Sequence, residues 1–263
     1  MTHPHPTLSA IVITRNEAHN LHDCLQSMHG LVDEIIVVDS QSTDATVVIA
    51  QQHGAKVAQP ADWPGFGPQK NRALNLATCD WVLSMDADER VTPALAAEIK
   101  QVLQTGALDV AYKLPRLSSY CGKFIHHAGW QPDYVLRLFK RGTAKFSDDL
   151  VHERVVTEIP VQPLRHHLLH YSYLNFSQVL SKVDAYSSAA AQQAYARGKR
   201  SSVAGALGHG AWAFFRTYVI RRGFLDGAHG LALSISNAET SYYKYLKLWQ
   251  MQQAEEAADQ AAT

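Results

Sequence analysis

Asp86 and Asp88 stand two residues apart, directly after the apolar run Trp81-Val82-Leu83-Ser84-Met85. Such a run reads as a buried strand, and the chain meets solvent where it ends. Hard oxygen ligands suit Mg²⁺ or Mn²⁺, which bind through one or two carboxylates plus phosphate oxygens. An Asp-x-Asp at a strand end can therefore hold a divalent ion, and the ion a diphosphate. Alone, the pair is equally at home in a turn or a helix cap. Two further polar clusters give it weight. Thr14-Arg15-Asn16-Glu17 follows the β-rich run Leu8–Ile13, and Asp39-Ser40-Gln41-Ser42-Thr43-Asp44 follows Glu34–Val38.

These clusters imply the elements that position them. Between the first two runs, Leu21, Cys24, Leu25 and Met28 recur at helical spacing, with Gly30 as the stop. A helical stretch follows Asp44 to Gln52, closed by Gly54, with a short strand at Lys56-Val57-Ala58. Gln59 to Pro68, rich in Pro and Gly, reads as a loop, and Gln69 to Ala77 as a helix leading into the Trp81 strand. Thr92 reads as an N-cap with Pro93 at the first helical position. Strand–helix alternation implies an α/β fold, a Rossmann-like, mainly parallel sheet with right-handed crossovers. In such sheets ligands sit outside the carboxyl ends of the strands. Thr14 to Glu17, Asp39, Asp86 and Asp88 all belong to that rim. From Val110 to Val156 the pattern changes to short strands and turns, and from Asn175 to long helices.

Each residue also has a plain structural reading. Asp39 suits a turn, Glu17 a helix N-terminus, and Lys70 with Arg72 a solvated helix face. Their joint placement on one rim favours a ligand site. Composition narrows the class further. The 263 residues carry 24 basic and 24 acidic side chains, so no nucleic-acid footprint is expected. Three cysteines, Cys24, Cys79 and Cys121, are odd in number and lack CxxC spacing, which fits reduced thiols in the cytoplasm. Met1 to Thr7 is polar and proline-broken, unlike a signal peptide, and no apolar stretch reaches the roughly 20 residues a spanning helix needs.

With these residues in view, the chain resembles a family 2 glycosyltransferase of the GT-A fold. The carrying segments are IVITRNEAHNL at 11–21, IIVVDSQSTDAT at 35–46, PQKNRAL at 68–74 and WVLSMDADE at 81–89. GWQPDYVLRLFKRG at 129–142, VHE at 151–153 and RRGFLDGAHGL at 221–231 resemble lipopolysaccharide core glycosyltransferases of the heptose β-1,4-glucosyltransferase type. The resemblance implies a GT-A domain over residues 1–170 and a helical C-terminal extension over 171–263. It implies a UDP-sugar donor, UDP-glucose first among them, and Mg²⁺ or Mn²⁺. The acceptor would be a glycan or lipid-linked glycan, an inner-core heptose. Thr14, Arg15, Asn16 and Glu17 would lie against the nucleoside and ribose. Asp39 would hydrogen-bond the uracil, with Ser40 and Asp44 in the same loop. Lys70 and Arg72 would face the phosphates and sugar. Asp86, Ala87 and Asp88 would form the metal motif, Asp88 the more direct ligand. Both usual glycines of the 40–46 loop are replaced here, which predicts a stiffer loop.

An inverting transferase needs a base for the acceptor hydroxyl proton, while metal and basic groups stabilise the departing diphosphate. Glu153 is the preferred candidate and Asp133 the runner-up, whose other reading is a Pro-Asp turn. His152 could orient Glu153, contact the diphosphate or ligate the metal. His166, His167 and His170 resemble a metal tract but read as structural. A non-catalytic nucleotide-sugar-binding protein, a nucleotidyltransferase and a transferase for another glycan or a protein acceptor stay open.

Ala204 to Ile220 is apolar and aromatic, and Arg197, Lys199, Arg200, Arg216, Arg221 and Arg222 lie in or beside it. Such a segment fits either packing on the catalytic domain or peripheral contact with an anionic membrane, at the inner face of an inner membrane.

Overall fold

The computed structural model describes residues 6–105, 109–147 and 153–261. It divides into two compact units, Met1–Leu117 with Pro132–His170, and Ser118–Gln131 with Tyr171–Thr263.

The first unit is built on a mixed sheet. Its parallel part uses β1 (Leu8–Thr14), β2 (Glu34–Asp39), β3 (Lys56–Ala58) and β4 (Trp81–Asp86), in the order β3-β2-β1-β4. β5 (Glu89–Val91), β6 (Ala111–Tyr120), β7 (Lys123–Phe124), β8 (Tyr134–Lys140), β9 (Ala144–Phe146), β10 (Val155–Thr157), β11 (Val161–Pro163) and β12 (Leu168–Tyr173) follow. Beyond β4 the order continues β8-β6-β12-β5, with β8 antiparallel to both β4 and β6. β9 and β10 form a separate antiparallel pair. β6 and β12 carry the chain from one unit into the other.

Burial explains these strands. Leu8, Ala10, Ile11 and Val12 of β1 and Trp81, Val82, Leu83 and Met85 of β4 are buried, as continuous apolar strands covered on both faces must be. α1 (Ala18–Ser27) buries Leu21, Cys24 and Leu25 against them, α2 (Thr46–Gln52) buries Ala50, and α3 (Phe66–Leu76) buries Ala73. α4 (Pro93–Thr105) starts as its sequence predicts, with the Thr92 hydroxyl accepting from Leu95 N at 3.2 Å. α3 starts earlier than the loop-to-Pro68 reading allowed. Pro68 sits in its first turn, where the missing N–H has no intrahelical partner to lose, so proline does not stop a helix there.

The second unit is mostly helical. α5 (Phe176–Ala196) is capped by Asn175, whose side chain accepts from Gln178 N. α6 (Val203–Phe215) runs into a π-helical segment (Arg216–Ile220), a 3-10 turn (Gly223–Asp226) and α7 (Gly227–Ala261). The 204–220 stretch is therefore two helix types in series. Asp226 is buried in this unit and accepts from the backbone N–H of His126 and His127. Cys24 and Cys79 are buried free thiols and Cys121 is half-buried and free.

Candidate functional site

Register places the polar clusters level with one another. Thr14 pairs with Asp39 across β1–β2, and Ile13 pairs with Asp86 across β1–β4. Three neighbouring parallel strands therefore end together, and their last residues share one rim.

The loops after β1 and β2 are stitched to each other. Asn16, at φ 56, donates its N–H to the Ser42 hydroxyl at 2.7 Å and accepts from Thr43 N at 2.8 Å. Asp44 accepts from Ala18 N, Thr46 N and the Thr46 hydroxyl at 3.2, 3.0 and 2.5 Å, and the Thr46 hydroxyl first of all holds its carboxyl below the ordinary value. The Glu17 N–H donates to the Thr46 oxygen, and burial pushes the Glu17 carboxyl up. Gln41 holds φ 57, a left-handed position that glycine occupies without strain, and its amide donates to Ala61 O. Asp39 is fully buried. Its Oδ1 accepts from Thr14 and Ser42 hydroxyls and its Oδ2 from Ser42 N and Gln59 Nε2. Four donors fill the four lone-pair sites of a carboxylate. A ring N–H can reach Asp39 only if one donor yields, and Gln59, at 3.2 Å, is the most distant. Ser40 is buried beside it, its hydroxyl accepting from Gln69. Arg72 pairs instead with Asp62 of the 59–65 loop, at 2.7 Å, and with Gln69 of α3, and Arg15 is exposed.

The metal-motif carboxylates have different surroundings. Asp86 is flanked by two buried cations, with Lys70 Nζ 3.0 Å from its Oδ1 and Arg137 Nη2 on its Oδ2. Burial pushes the Asp86 carboxyl up, but the Arg137 and Lys70 charges outweigh it and hold it far below the usual carboxylate range. Asp88, about one-third exposed, lies 3.3 Å from His170 Nε2. Ala87 between them is buried. Among the described residues no group of three or more His, Cys, Asp and Glu could hold a metal. Asp88 and His170 lie close enough to act as two ligands, the number that would suit an ion completing its shell with phosphate oxygens and water.

Lys70 also reaches Glu153, at 2.8 Å, so one ammonium bridges Asp86 and Glu153. Two carboxylates offset the desolvation of a buried ammonium, which a single exposed partner would not. These residues open on a cavity of about 340 Å³ lined also by Arg116, Tyr134, Arg137 and Phe146. Helix α3 presents Lys70 because Asn71 clamps the backbone of Phe146, donating to its O and accepting from its N at 2.9 Å each. Gly67 permits the approach, since a Cβ there would stand 1.8 Å from Ser147 O and 3.5 Å from the Glu153 Cβ. Ser147 and Arg154 then pair across the 148–152 segment, at 2.9 Å from Ser147 N to Arg154 O.

Asp133 is held by Arg116, at 2.8 Å, and is absent from the cavity lining. His152 lies outside the described residues. Two groups at the site, Arg137 and Arg116, were not singled out from the sequence, and His170 was read as structural. Arg137 links Asp86 to the buried Glu89, at 2.7 Å from the latter, and its buried Nε has no hydrogen-bond partner among the described residues. Arg116 reaches Glu89 at 3.7 Å. His170 lies 3.3 Å from Asp88. The available signal was Arg137 itself, a charged residue within the apolar run Val135–Phe139.

Comparison with known proteins identifies relatives over most of the chain. The model of the family "Glycosyl transferase family 2" matches residues 9–157. An uncharacterized glycosyltransferase of Rickettsia felis is 33% identical over 258 residues, 92% of this chain and 89% of that one. The lipopolysaccharide core biosynthesis glycosyltransferase LpsC of Rhizobium meliloti is 29% identical, over 94% of this chain and 93% of that one. Glucosyl-3-phosphoglycerate synthase from Mycobacterium tuberculosis, solved with Mn²⁺, UDP and its product, is 28% identical over 43% of this chain and 44% of that one, with a TM-score of 0.36. Since the family model covers more than half of the chain and a relative above 30% identity covers nine-tenths, the chain belongs to glycosyl transferase family 2, with a GT-A core and a nucleotide-sugar donor.

Proposed function

We propose that this glycosyltransferase is inverting and metal-dependent, moving a hexose, glucose in the first place, from a UDP-sugar to a heptose of a lipopolysaccharide inner core, at the inner face of a membrane. The observation that carries the reading is the cavity in which Lys70 joins Glu153 to Asp86. Glu153 lines that cavity and Asp133 does not, which favours Glu153 as base. The acceptor hydroxyl gives its proton to Glu153 as its oxygen forms the new bond to the sugar C1. The bond from C1 to the diphosphate oxygen breaks on the opposite face, and UDP leaves with the electron pair. Lys70, which contacts Glu153, would also contact the leaving diphosphate, and Asp86 keeps Lys70 and Arg137 in place. Asp88 with His170 would hold Mg²⁺ or Mn²⁺, which would neutralise the diphosphate. Thr14 to Glu17 and the Asp39 loop would cradle the nucleoside. The name of the Rhizobium meliloti relative supports the choice of acceptor class.

UDP release from a panel of UDP-sugars, with and without Mn²⁺ and a heptose-bearing acceptor, tests this reading. Fastest release from UDP-glucose, dependent on both metal and acceptor, is expected. Full activity in EDTA removes the metal, and binding of UDP-sugars without any release makes the protein a binding module.

A further inference from the structure

α6 is built with its large residues outside. Ala206, Gly210 and Ala213 are buried, and Thr217 continues their row into the π-helical segment. Gly210 shows why the inner row is small, since a Cβ there would come within 3.1 Å of the Tyr242 Cβ on α7. Leu207 is 58% exposed and Trp212 54%, against 0% for Ala206. At about 100° per residue, Leu207, Trp212 and Phe215 share an arc of roughly 140°, opposite the small-residue row. Trp212 and Phe215 lie 5.9 Å apart, ring to ring. Ile220, Phe224 and Leu225 extend the exposed apolar surface through the π-helical segment and the 3-10 turn. A water-facing helix ordinarily shows the reverse order, and a contiguous exposed apolar patch of this kind marks an interaction surface.

The charges identify what it contacts. Residues 203–225 contain Arg216, Arg221 and Arg222, all exposed, and no Asp or Glu. A second copy of the chain set on this face by a two-fold axis would offer these arginines no carboxylate from the same segment. An anionic bilayer answers both halves of the surface, since apolar side chains enter the headgroup–acyl boundary while arginines meet phosphates. No described helix is long and apolar enough to cross a membrane, so the contact is peripheral.

We propose that the outer face of α6 and the turn after it docks the protein on an anionic lipid surface, with Leu207, Trp212, Phe215, Ile220, Phe224 and Leu225 seated in the interface. The proposal deepens the membrane contact of the reading above and rests on it for its purpose, though its geometry lies in the second unit alone. It also changes the expected salt response. Charge alone is screened and released at high salt. A seated apolar face keeps a residual, salt-resistant fraction.

The test is co-sedimentation of the full chain with phosphatidylcholine vesicles, with and without about one-third phosphatidylglycerol. Partition onto the anionic vesicles is expected to exceed that onto neutral ones, and high salt is expected to reduce it without abolishing it. Leu207→Ser with Trp212→Ser should lower anionic partition by about tenfold or more, and remove the salt-resistant fraction. Arg221→Glu with Arg222→Glu should reduce anionic partition to the neutral level. UDP affinity, measured by calorimetry on the same variants, should stay unchanged, which separates loss of docking from loss of the transferase site and shows that the variants are folded. Equal partition of wild type and the serine variant overturns the proposal. So does a dimer that the serine variant dissolves and that ignores vesicles.

Discussion

Strand β2 begins and ends on a buried acid, and the two ends of the sheet use their acids differently. At the amino end, Glu34 accepts from the Ser9 hydroxyl at 2.5 Å, from Thr78 N and its hydroxyl at 2.9 Å, and from Lys56 at 2.5 Å. Its cation, Lys56, is 65% exposed, and the cluster closes on itself. At the carboxyl rim the cations themselves are buried, Lys70 and Arg137 being 6% and 7% exposed, and they face a cavity. A buried carboxylate at a strand end therefore does not mark a site. What the closed cluster lacks is the carboxyl rim's pair of buried cations at a cavity wall, held there by Asp86, Glu89 and Glu153.

That contrast breaks if the two ends respond alike to mutation. The largest effect is expected at Glu153. Glu153→Gln should lower kcat by about 10²–10⁴-fold with UDP affinity unchanged, well beyond the drop in melting temperature expected from taking one carboxylate from buried Lys70, read by turnover and thermal unfolding together. Asp133→Asn should have the smaller effect on kcat, and the reverse result would exchange the two roles.

Arg137→Met comes next, because it leaves Asp86 and Glu89 without their shared guanidinium. Breaking a buried pair in this way costs about 3–5 kcal/mol, measured by denaturant unfolding. Adding Glu89→Gln to it should recover part of the loss, since burial already pushes the Glu89 carboxyl up against the opposing Arg137. No recovery would mean that the guanidinium acts through packing alone.

Glu34→Gln should cost about 1–3 kcal/mol at neutral pH and leave kcat per folded molecule intact. Burial pushes Glu34 up, but Lys56, Ser9 and Thr78 outweigh it and set its carboxyl at about 2 against an ordinary 4.5. A folded value below the unfolded one gives stability that is full above about pH 4.5 and lost as pH falls toward 2. The stability gap between wild type and variant should therefore shrink through that window. A gap that is constant with pH would mean the carboxylate charge is not the cause.

The smallest effect belongs to Asp39→Asn. With four protein donors already on the carboxylate, UDP affinity should fall by only about 1 kcal/mol, read by calorimetry. A much larger loss would show that Gln59 yields its place to the base ring.

The rim was legible in the sequence because apolar strands end abruptly at Thr14, Asp39 and Asp86, and a period change of that kind survives any packing. The Thr92–Pro93 helix start was legible for the same local reason. The charge network was not. Arg137 lies on β8, Lys70 on α3 and Glu153 after β9, and only the β4–β8 pairing and the α3–β9 clamp bring them together. Long-range contacts of this kind leave no local spacing to read. The pairing of His170 with Asp88 could not be read from the His166–His170 tract, because it comes from the β12–β5 register, which sets His170 opposite Glu89, one residue from Asp88. Gln41 holds a left-handed backbone that glycine would occupy without strain, which nothing in its side chain announces.

Gly67 touches no substrate in this account, yet it carries the tightest tolerance in the catalytic unit. Its missing side chain sets the distance between the helix that presents Lys70 and the strand that leads to Glu153. At Gly30, Gly54 and Gly142 a side chain would meet open space and only the backbone angle objects, whereas at Gly67 it would meet a carbonyl. A saturation library at position 67 should therefore return one residue, and alanine, the mildest change available elsewhere, would be as informative there as deleting a catalytic group.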